Sequence, residues 1–371
     1  MNATIKDIAR ETNVSYATVS RAFNNKYGVR PETRARILEV AKRLNYSPNG
    51  IARGLVNKRT KSIGLLIPDI TNPYFPEVAR GIEEGAKEQG YSVFLCNTNW
   101  EQDRQAQYIE LLAEKRVDGL VIAPVSNSVD PAQERLFNSI PVVYVDRPPQ
   151  NTPCSYVVID NIRGGFIATQ HLIEAGYRKI GFIGAVEQSM PVDERLEGFR
   201  LAMERYGIAI EERDIRLGHF SQEAGTNLVR EMIGAGDYPR AIFAENDLLA
   251  FGVIDGVRSM GLSVPGDVAV VGFDDIHFAS FENVQLTTVC QPKYEMGKTA
   301  VRILLEEISW KEHAAMGKGR NGRHADRNVL TARAEETVNA AVCEEATGGR
   351  RVVILEPRLI VRKTSLVSHP Q

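Results

Sequence analysis

The chain is expected to join a small all-helical head to a much larger α/β body of parallel sheets covered by helices. Three observations carry that expectation. Over residues 5–44, apolar residues recur at helical spacing in three short runs. From Ser62 onward, short apolar runs alternate with helical patterns, the texture of parallel sheets packed on both faces. The charge also divides: residues 1–61 carry 13 Lys/Arg against 4 Asp/Glu, and the remainder 32 against 43. A length of 371 residues leaves room for more than one domain, and over the body for two lobes with a cleft between them.

In the head, Ile5, Ile8 and Ala9 form one apolar stripe, which stops at Thr12-Asn13, where a turn is expected. Ser15 is placed to cap a second helix by accepting a backbone N–H near Thr18. That helix buries Val19, Ala22 and Phe23 and turns Tyr16, Ala17, Thr18, Ser20 and Arg21 outward. Helix, tight turn and second helix make a helix-turn-helix unit, whose second helix fits the DNA major groove. A third helix is predicted from about Pro31 to Leu44, with Ile37, Leu38, Ala41 and Leu44 closing a small core. A basic head on an acidic body points to a polyanion held by the head alone; the plainer alternative is the solvated face of a small domain. The segment 48–61 is read as a short helix starting at Pro48, weakened by Gly50 and Gly54 and marginal unless something holds it.

In the body, predicted strands are 63–67, 92–96, 119–122 and 142–145, then 180–183, 241–244 and 268–271, with a last one at 351–355. Helices are predicted from the first strand to about Gln89 and over 103–115. Residues 311–350, rich in Gly, Ala and charge, fit neither pattern. They are read as a long exposed insertion with a helix near 332–345.

Other chemistries find little footing. The four cysteines and six histidines are scattered, without metal-ligand spacing. The cysteines fit buried thiols of a reducing compartment. Neither a G-x-G-x-x-G turn after the first strand nor a phosphate-binding G-x-x-x-x-G-K-[ST] loop nor a G-x-S-x-G elbow occurs. No cofactor, no metal and no enzymatic activity are expected. Met1-Asn2-Ala3-Thr4 runs straight into a polar helix and no apolar run is long enough to span a bilayer, so a cytoplasmic location without membrane contact is expected.

Several short stretches resemble the lactose-repressor (LacI/GalR) family of bacterial transcription regulators. They are Ile5-Lys6-Asp7-Ile8-Ala9, Val14-Ser15, Thr18-Val19-Ser20-Arg21, Tyr46-Ser47-Pro48-Asn49 and Ala52-Arg53-Gly54-Leu55 in the head and the segment after it. Arg116-Val117-Asp118-Gly119, Val264-Pro265-Gly266-Asp267, Gly272-Phe273-Asp274-Asp275 and Gln291-Pro292 follow in the body. The insertion departs from the family, which joins its last helix to the final strands by a short loop.

The resemblance implies a three-helix DNA-binding head at 1–47, a hinge helix and linker at 48–61, and an effector-binding and dimerisation body at 62–371. The body would be two-lobed, like periplasmic binding proteins of the ribose type. Lobe 1 would span about 62–160 and 293–310, lobe 2 about 161–291 and 351–365, with the insertion at 311–350. Tyr16, Ala17 and Arg21 fall where the family contacts base edges, and the Arg21 fork matches the acceptor pair of guanine. Thr18 and Ser20 suit phosphate oxygens. Leu55, preceded by Asn49, Ala52 and Arg53, lies where the family wedges an apolar side chain into the minor groove. A linker leucine packed on the body is the alternative.

The same resemblance assigns an effector cleft to Asn72, Phe75, Asp146, Arg147, Arg195, Phe220, Asn246, Asp274 and Gln291. Nearly all lie at carboxyl ends of predicted strands, where open parallel sheets bind ligands. Singly, each reads equally well as a loop ion pair or a helix cap. Together, two carboxylates, two guanidiniums and two rings suit a small neutral polyol. The expected molecule is a repressor of a sugar-utilisation operon. It would bind a palindromic double-stranded operator as a homodimer, with a tetramer left open, under control of a pentose, ribose first. A purine or hexose effector is the alternative within the family, and a cytoplasmic sugar sensor without operator function the alternative from outside it.

Overall fold

The computed structural model describes residues 3–23, 27–46, 59–128, 131–186, 190–316, 342–347 and 350–366. The chain divides between Lys61 and Ser62 into two units.

The first unit contains α1 (Ile5–Glu11), α2 (Tyr16–Phe23) and α3 (Pro31–Arg43). Local chemistry starts each helix. The Thr4 backbone N–H and hydroxyl both donate to the Asp7 carboxylate, at 2.9 and 2.6 Å, which holds that carboxyl below its usual range. Asn13 turns the chain with φ 49°, a left-handed conformation that asparagine tolerates. Ser15 Oγ accepts the Thr18 N–H at 3.1 Å and opens α2. Pro31 occupies the first turn of α3, where its missing N–H costs nothing. Ile8, Val19, Ala22, Ile37 and Ala41 are buried together, with Phe23, Leu44 and Tyr46 packed around them. A core this small leaves the outer face of α2 available for other work.

The second unit is built on two sheets. Sheet one orders its strands β11 (Val342–Thr347), β12 (Arg350–Leu355), β5 (Ser155–Ile159), β4 (Val142–Val145), β3 (Gly119–Ile122), β1 (Ser62–Ile67) and β2 (Ser92–Asn97). All pair in parallel except β11 with β12. Sheet two orders β13 (Arg358–Ile360), β10 (Thr287–Cys290), β9 (Ala269–Asp274), β8 (Ala241–Ala244), β6 (Ile180–Ala185) and β7 (Ile215–Gly218). Only β13 runs antiparallel to its neighbour. The continuous apolar runs of β1, β6, β8 and β9 are buried at every position, as strands covered on both faces must be. Because β5 and β6 lie in different sheets, as do β12 and β13, the chain crosses between lobes after Ile159 and after Leu355. A third crossing leaves β10 at Cys290 for α11 (Lys293–Met316), which packs on α4 (Tyr74–Glu88) in lobe 1.

Two expectations need correction. Residues 351–355 belong to the sheet of lobe 1, not lobe 2: Val352 to Leu355 pair with Tyr156 to Ile159, where β5 would otherwise be exposed. An apolar strand of this kind suits either sheet, and only the crossing decides between them. Likewise 342–345 do not continue a helix near 332–345. They lie in β11, where pairing with β12 overrides the helical preference of Ala and Glu. The helix after β10 also runs past 310, to Met316. Residues 317–341 lie outside the described residues.

Lobe 1 also carries α5 (Gln102–Glu114) and α6 (Pro131–Phe137). Among the described residues, three helix pairs meet at reciprocal glycines. A Cβ on Gly81 would lie 2.1 Å from the Tyr294 carbonyl, and one on Gly297 2.2 Å from that of Val78, where α4 crosses α11. In α7 (Asn161–Glu174) and α8 (Met190–Arg205), Gly165 and Gly198 stand in the same relation to the Arg195 and Ile162 carbonyls. In α9 (Gln222–Gly234) and α10 (Asp247–Ser259), Gly225 and Gly252 do so toward Leu249 and Gln222. The helix backbones are in contact at each crossing, so the substituted atom would meet backbone that cannot swing aside. Gly165→Ala and Gly252→Ala should each lower stability in urea unfolding by about 2–3 kcal/mol. Gly234→Ala, whose Cβ meets nothing within 4 Å, should leave it unchanged or raise it by less than about 1 kcal/mol.

Candidate effector cleft and nucleic-acid interface

On α2, Tyr16 is 55% exposed, and Ala17 and Arg21 are also exposed. Thr18 and Ser20 are half-buried. The Thr18 hydroxyl lies 2.9 Å from Ser15 Oγ, so it is engaged in the cap as well as facing out. Asn49, Ala52, Arg53 and Leu55 lie outside the described residues.

In the body, the strand ends converge on one cleft. Asn72, Phe75, Asp146, Arg147, Arg195, Phe220, Asp274 and Gln291 all line it, with Tyr74, Trp100, Pro191 and Val192. Asn72 and Phe75 come from the β1–α4 connection, where Asn72 Oδ1 accepts the Tyr74 N–H at 3.1 Å and starts the helix. Asp146 follows β4 with φ 70°, and Asp274 ends β9 with φ 112°. Both carboxylates therefore sit on left-handed backbone, a cost that folds tolerate where it aims a functional group.

The charged groups are all over nine-tenths buried, and each has a partner. Asp146 Oδ2 accepts Arg147 Nε at 3.0 Å, while its Oδ1 accepts the Tyr74 hydroxyl at 3.1 Å. Burial pushes the Tyr74 phenol well above its ordinary range, which keeps it a donor. Arg195 gives Nε to Asn161 Oδ1 at 2.9 Å and Nη1 to the Glu245 carbonyl at 2.7 Å. Its Nη1 also stands 4.0 Å from Asp274 Oδ1, and its guanidinium carbon lies 3.8 Å from the centre of the Phe273 ring. Asp274 Oδ1 in turn accepts Gln291 Nε2 at 2.6 Å. Gln291 Oε1 is buried without a hydrogen-bond partner among the described residues.

Behind the cleft, Lys293 ties the crossing strands together. Its ammonium donates to the Asp274 carbonyl, to that of Asp275 at 3.0 Å and to that of Gln291 at 3.5 Å. The buried Asp247 accepts the Thr288 hydroxyl at 2.5 Å and the Ile276 N–H at 2.8 Å. Burial raises Asp247 well above the carboxylate range and pushes Asp274 up to about 6.

One expected member is not brought in. Asn246 is buried, but its side chain accepts the Leu249 N–H at 2.8 Å and caps α10 instead of lining the cleft. Sequence reasoning missed Tyr74 and Trp100. Tyr74 stands beside the assigned Phe75, so adjacency was the available signal. Trp100 lies in a polar loop that offers none.

A helix-turn-helix head followed by a two-lobed parallel α/β body with a charged, aromatic-lined cleft defines a ligand-responsive DNA-binding protein. Family models agree with both parts. Residues 4–49 match bacterial regulatory proteins of the lacI family, and residues 60–334 match the periplasmic binding proteins and sugar-binding domain of the LacI family. The chain belongs to the LacI/GalR family of bacterial transcription regulators. It is similar to the HTH-type transcriptional repressor PurR of Mannheimia succiniciproducens, 36% identical over 84% of this chain and 93% of that protein. Among solved structures it resembles a CelR–cellobiose complex, with 28% identity and a TM-score of 0.67 over 98% of this chain and 99% of that one. It also resembles a LacI-family regulator from Enterococcus faecium with bound ribose, with 28% identity and a TM-score of 0.65 over 82% and 98%. At the level the family defines, this is a DNA-binding repressor governed by a small-molecule effector, not an enzyme. No helix among the described residues is long and apolar enough to cross a membrane.

Because the folded Asp274 carboxyl is raised above its unfolded value of 3.8, the folded state binds a proton more tightly. Stability from this group is full below pH 4 and is lost as the pH rises through 6. Asp274→Asn should reduce the wild-type slope between pH 4 and 7, with Asp247, also raised by burial, keeping the remainder, read by urea unfolding at each pH.

Proposed function

We propose that the protein is a repressor of a sugar-utilisation operon, located in the cytoplasm, that binds a palindromic operator as a homodimer and is controlled by a pentose, ribose first. The observation that carries the sugar reading is the pairing in the cleft of two carboxylates with two guanidiniums between aromatic rings. Such a site is close to neutral, offers both donors and acceptors to vicinal hydroxyls, and presents ring faces to C–H surfaces. A phosphorylated ligand would call for uncompensated cations. Gln291 Oε1, an acceptor at the cleft without a partner among the described residues, suits a hydroxyl donor. Two structures of similar proteins hold sugars, cellobiose in one and ribose in the other.

Base contact is assigned to Tyr16, Ala17 and Arg21, phosphate contact to Thr18 and Ser20, and minor-groove insertion to Leu55 with Asn49, Ala52 and Arg53. The dimer is supported by surface the fold leaves uncovered. The edge strand β2 exposes Phe94 and Leu95, and the short 3-10 turn His277–Ser280 exposes Phe278 against Phe281. A ligand can act only by binding one lobe arrangement more tightly than another.

Arg195→Ala should abolish the response to D-ribose in a gel shift while DNA binding persists. Unchanged D-ribose affinity in calorimetry would remove Arg195 from the site. Should wild-type protein answer only to a purine or a hexose, the pentose gives way to that effector. Leu55→Ala should weaken specific operator binding about tenfold or more and barely change non-specific binding. Equal losses on both duplexes would dismiss the wedge.

A further inference from the structure

We propose that Trp100 is a size-selecting residue of the cleft, clasped against Phe220 of the opposite lobe so that the mouth closes over a ligand of one ring and turns away linear oligosaccharides. This rests on the reading of the cleft as a sugar site and deepens it.

The two rings stack with centroids 5.9 Å apart and planes 24° apart. Trp100 follows β2 in lobe 1, and Phe220 follows β7 in lobe 2. Both line the cleft, and both remain partly accessible, which places the stack at its rim. The indole is fixed on two further sides. Phe75 meets it edge-on with centroids 6.3 Å apart, and the Arg147 guanidinium lies 4.9 Å from its centroid. Since Arg147 is also held by Asp146, the indole helps aim that guanidinium into the cleft.

The backbone beneath is arranged for this. Asn99 and Trp100 have φ of 56° and 60°, two successive left-handed residues that are not glycine. The turn is anchored to the end of β1 by Thr98 N–H to the Ile67 carbonyl at 2.9 Å and Trp100 N–H to that of Pro68 at 3.2 Å. A bulky residue held on strained backbone at a binding cleft is expected where its exact direction matters. A ligand held beneath the clasp would be covered by both rings. A second sugar ring would have to part Trp100 from Phe220 and lose the stack.

The chain contains two tryptophans, so Trp310→Phe leaves Trp100 as the only reporter. In full-length Trp310→Phe protein, adding Phe220→Ala should raise the acrylamide quenching constant of Trp100 about twofold, because the covering ring is gone. An unchanged constant would overturn the clasp whatever the ligand is. Calorimetry then compares D-ribose, D-glucose, hypoxanthine and cellobiose on wild type, Trp100→Gly and Trp100→Phe. Glycine adopts the left-handed turn without strain, so this variant keeps the loop. Wild type should bind a single-ring probe and not cellobiose. Trp100→Gly should lose about tenfold for that probe and gain measurable cellobiose binding, and Trp100→Phe should restore most of the selectivity. Cellobiose binding to wild type as tightly as the single-ring probe, or selectivity unmoved in Trp100→Gly, would overturn the proposal. Wild type that binds none of the three sugars, whether or not it binds hypoxanthine, overturns the sugar reading, and size selection with it, while the quenching result judges the clasp separately.

Discussion

Everything in the body answers to the cost of burying charge between two lobes. Asp146, Arg147, Arg195 and Asp274 are each less than a tenth exposed, and an unpaired ion in such a place costs several kcal/mol. Pairing within a lobe, as between Asp146 and Arg147, meets that cost locally. The guanidinium of Arg195 is met differently, by the Asn161 side chain, the Glu245 carbonyl, the Phe273 face and a longer approach to Asp274. Its approach to Asp274 at 4.0 Å is longer than a hydrogen bond, so this charge pair is the loosest in the cleft.

The supporting structure explains why the cleft can act on the rest of the body. Asp274 and Gln291 stand at strand ends beside a crossing between lobes, and Lys293 gathers the carbonyls of that crossing. The reciprocal glycines let helices approach to backbone contact, and the Gly165–Gly198 crossing seats the first turns of α8 that carry Arg195. Packing that tight moves as a block, not by yielding locally. A ligand drawing on groups from both lobes therefore biases the arrangement of the lobes themselves.

Much of this was legible because the signals were strong and local. The head declared itself through a cap at Ser15, a turn at Asn13 and three apolar stripes. The inner strands were continuous apolar runs. What escaped had no local signature. β7, of sequence Ile-Arg-Leu-Gly, is half-exposed and nearly featureless. β12 is apolar enough for either sheet, so its place depends on a crossing that no periodicity encodes. Asn246 was read as a cleft residue because it follows a strand, yet a short amide before a helix is claimed first by the free N–H groups. Trp100 was passed over because its loop is polar, and its importance arises from φ values that bring it to Phe220 across more than a hundred residues.

In a repressor governed by an effector, ligand binding and DNA binding are thermodynamically coupled, and coupling of this kind is reciprocal. The most direct measurement is the calorimetric affinity of the full chain for D-ribose, the proposed effector, taken with and without a saturating symmetric duplex selected from a random pool. The duplex should shift the D-ribose affinity by the same factor by which D-ribose shifts the duplex affinity. A D-ribose affinity that is identical with and without the duplex would contradict this coupling.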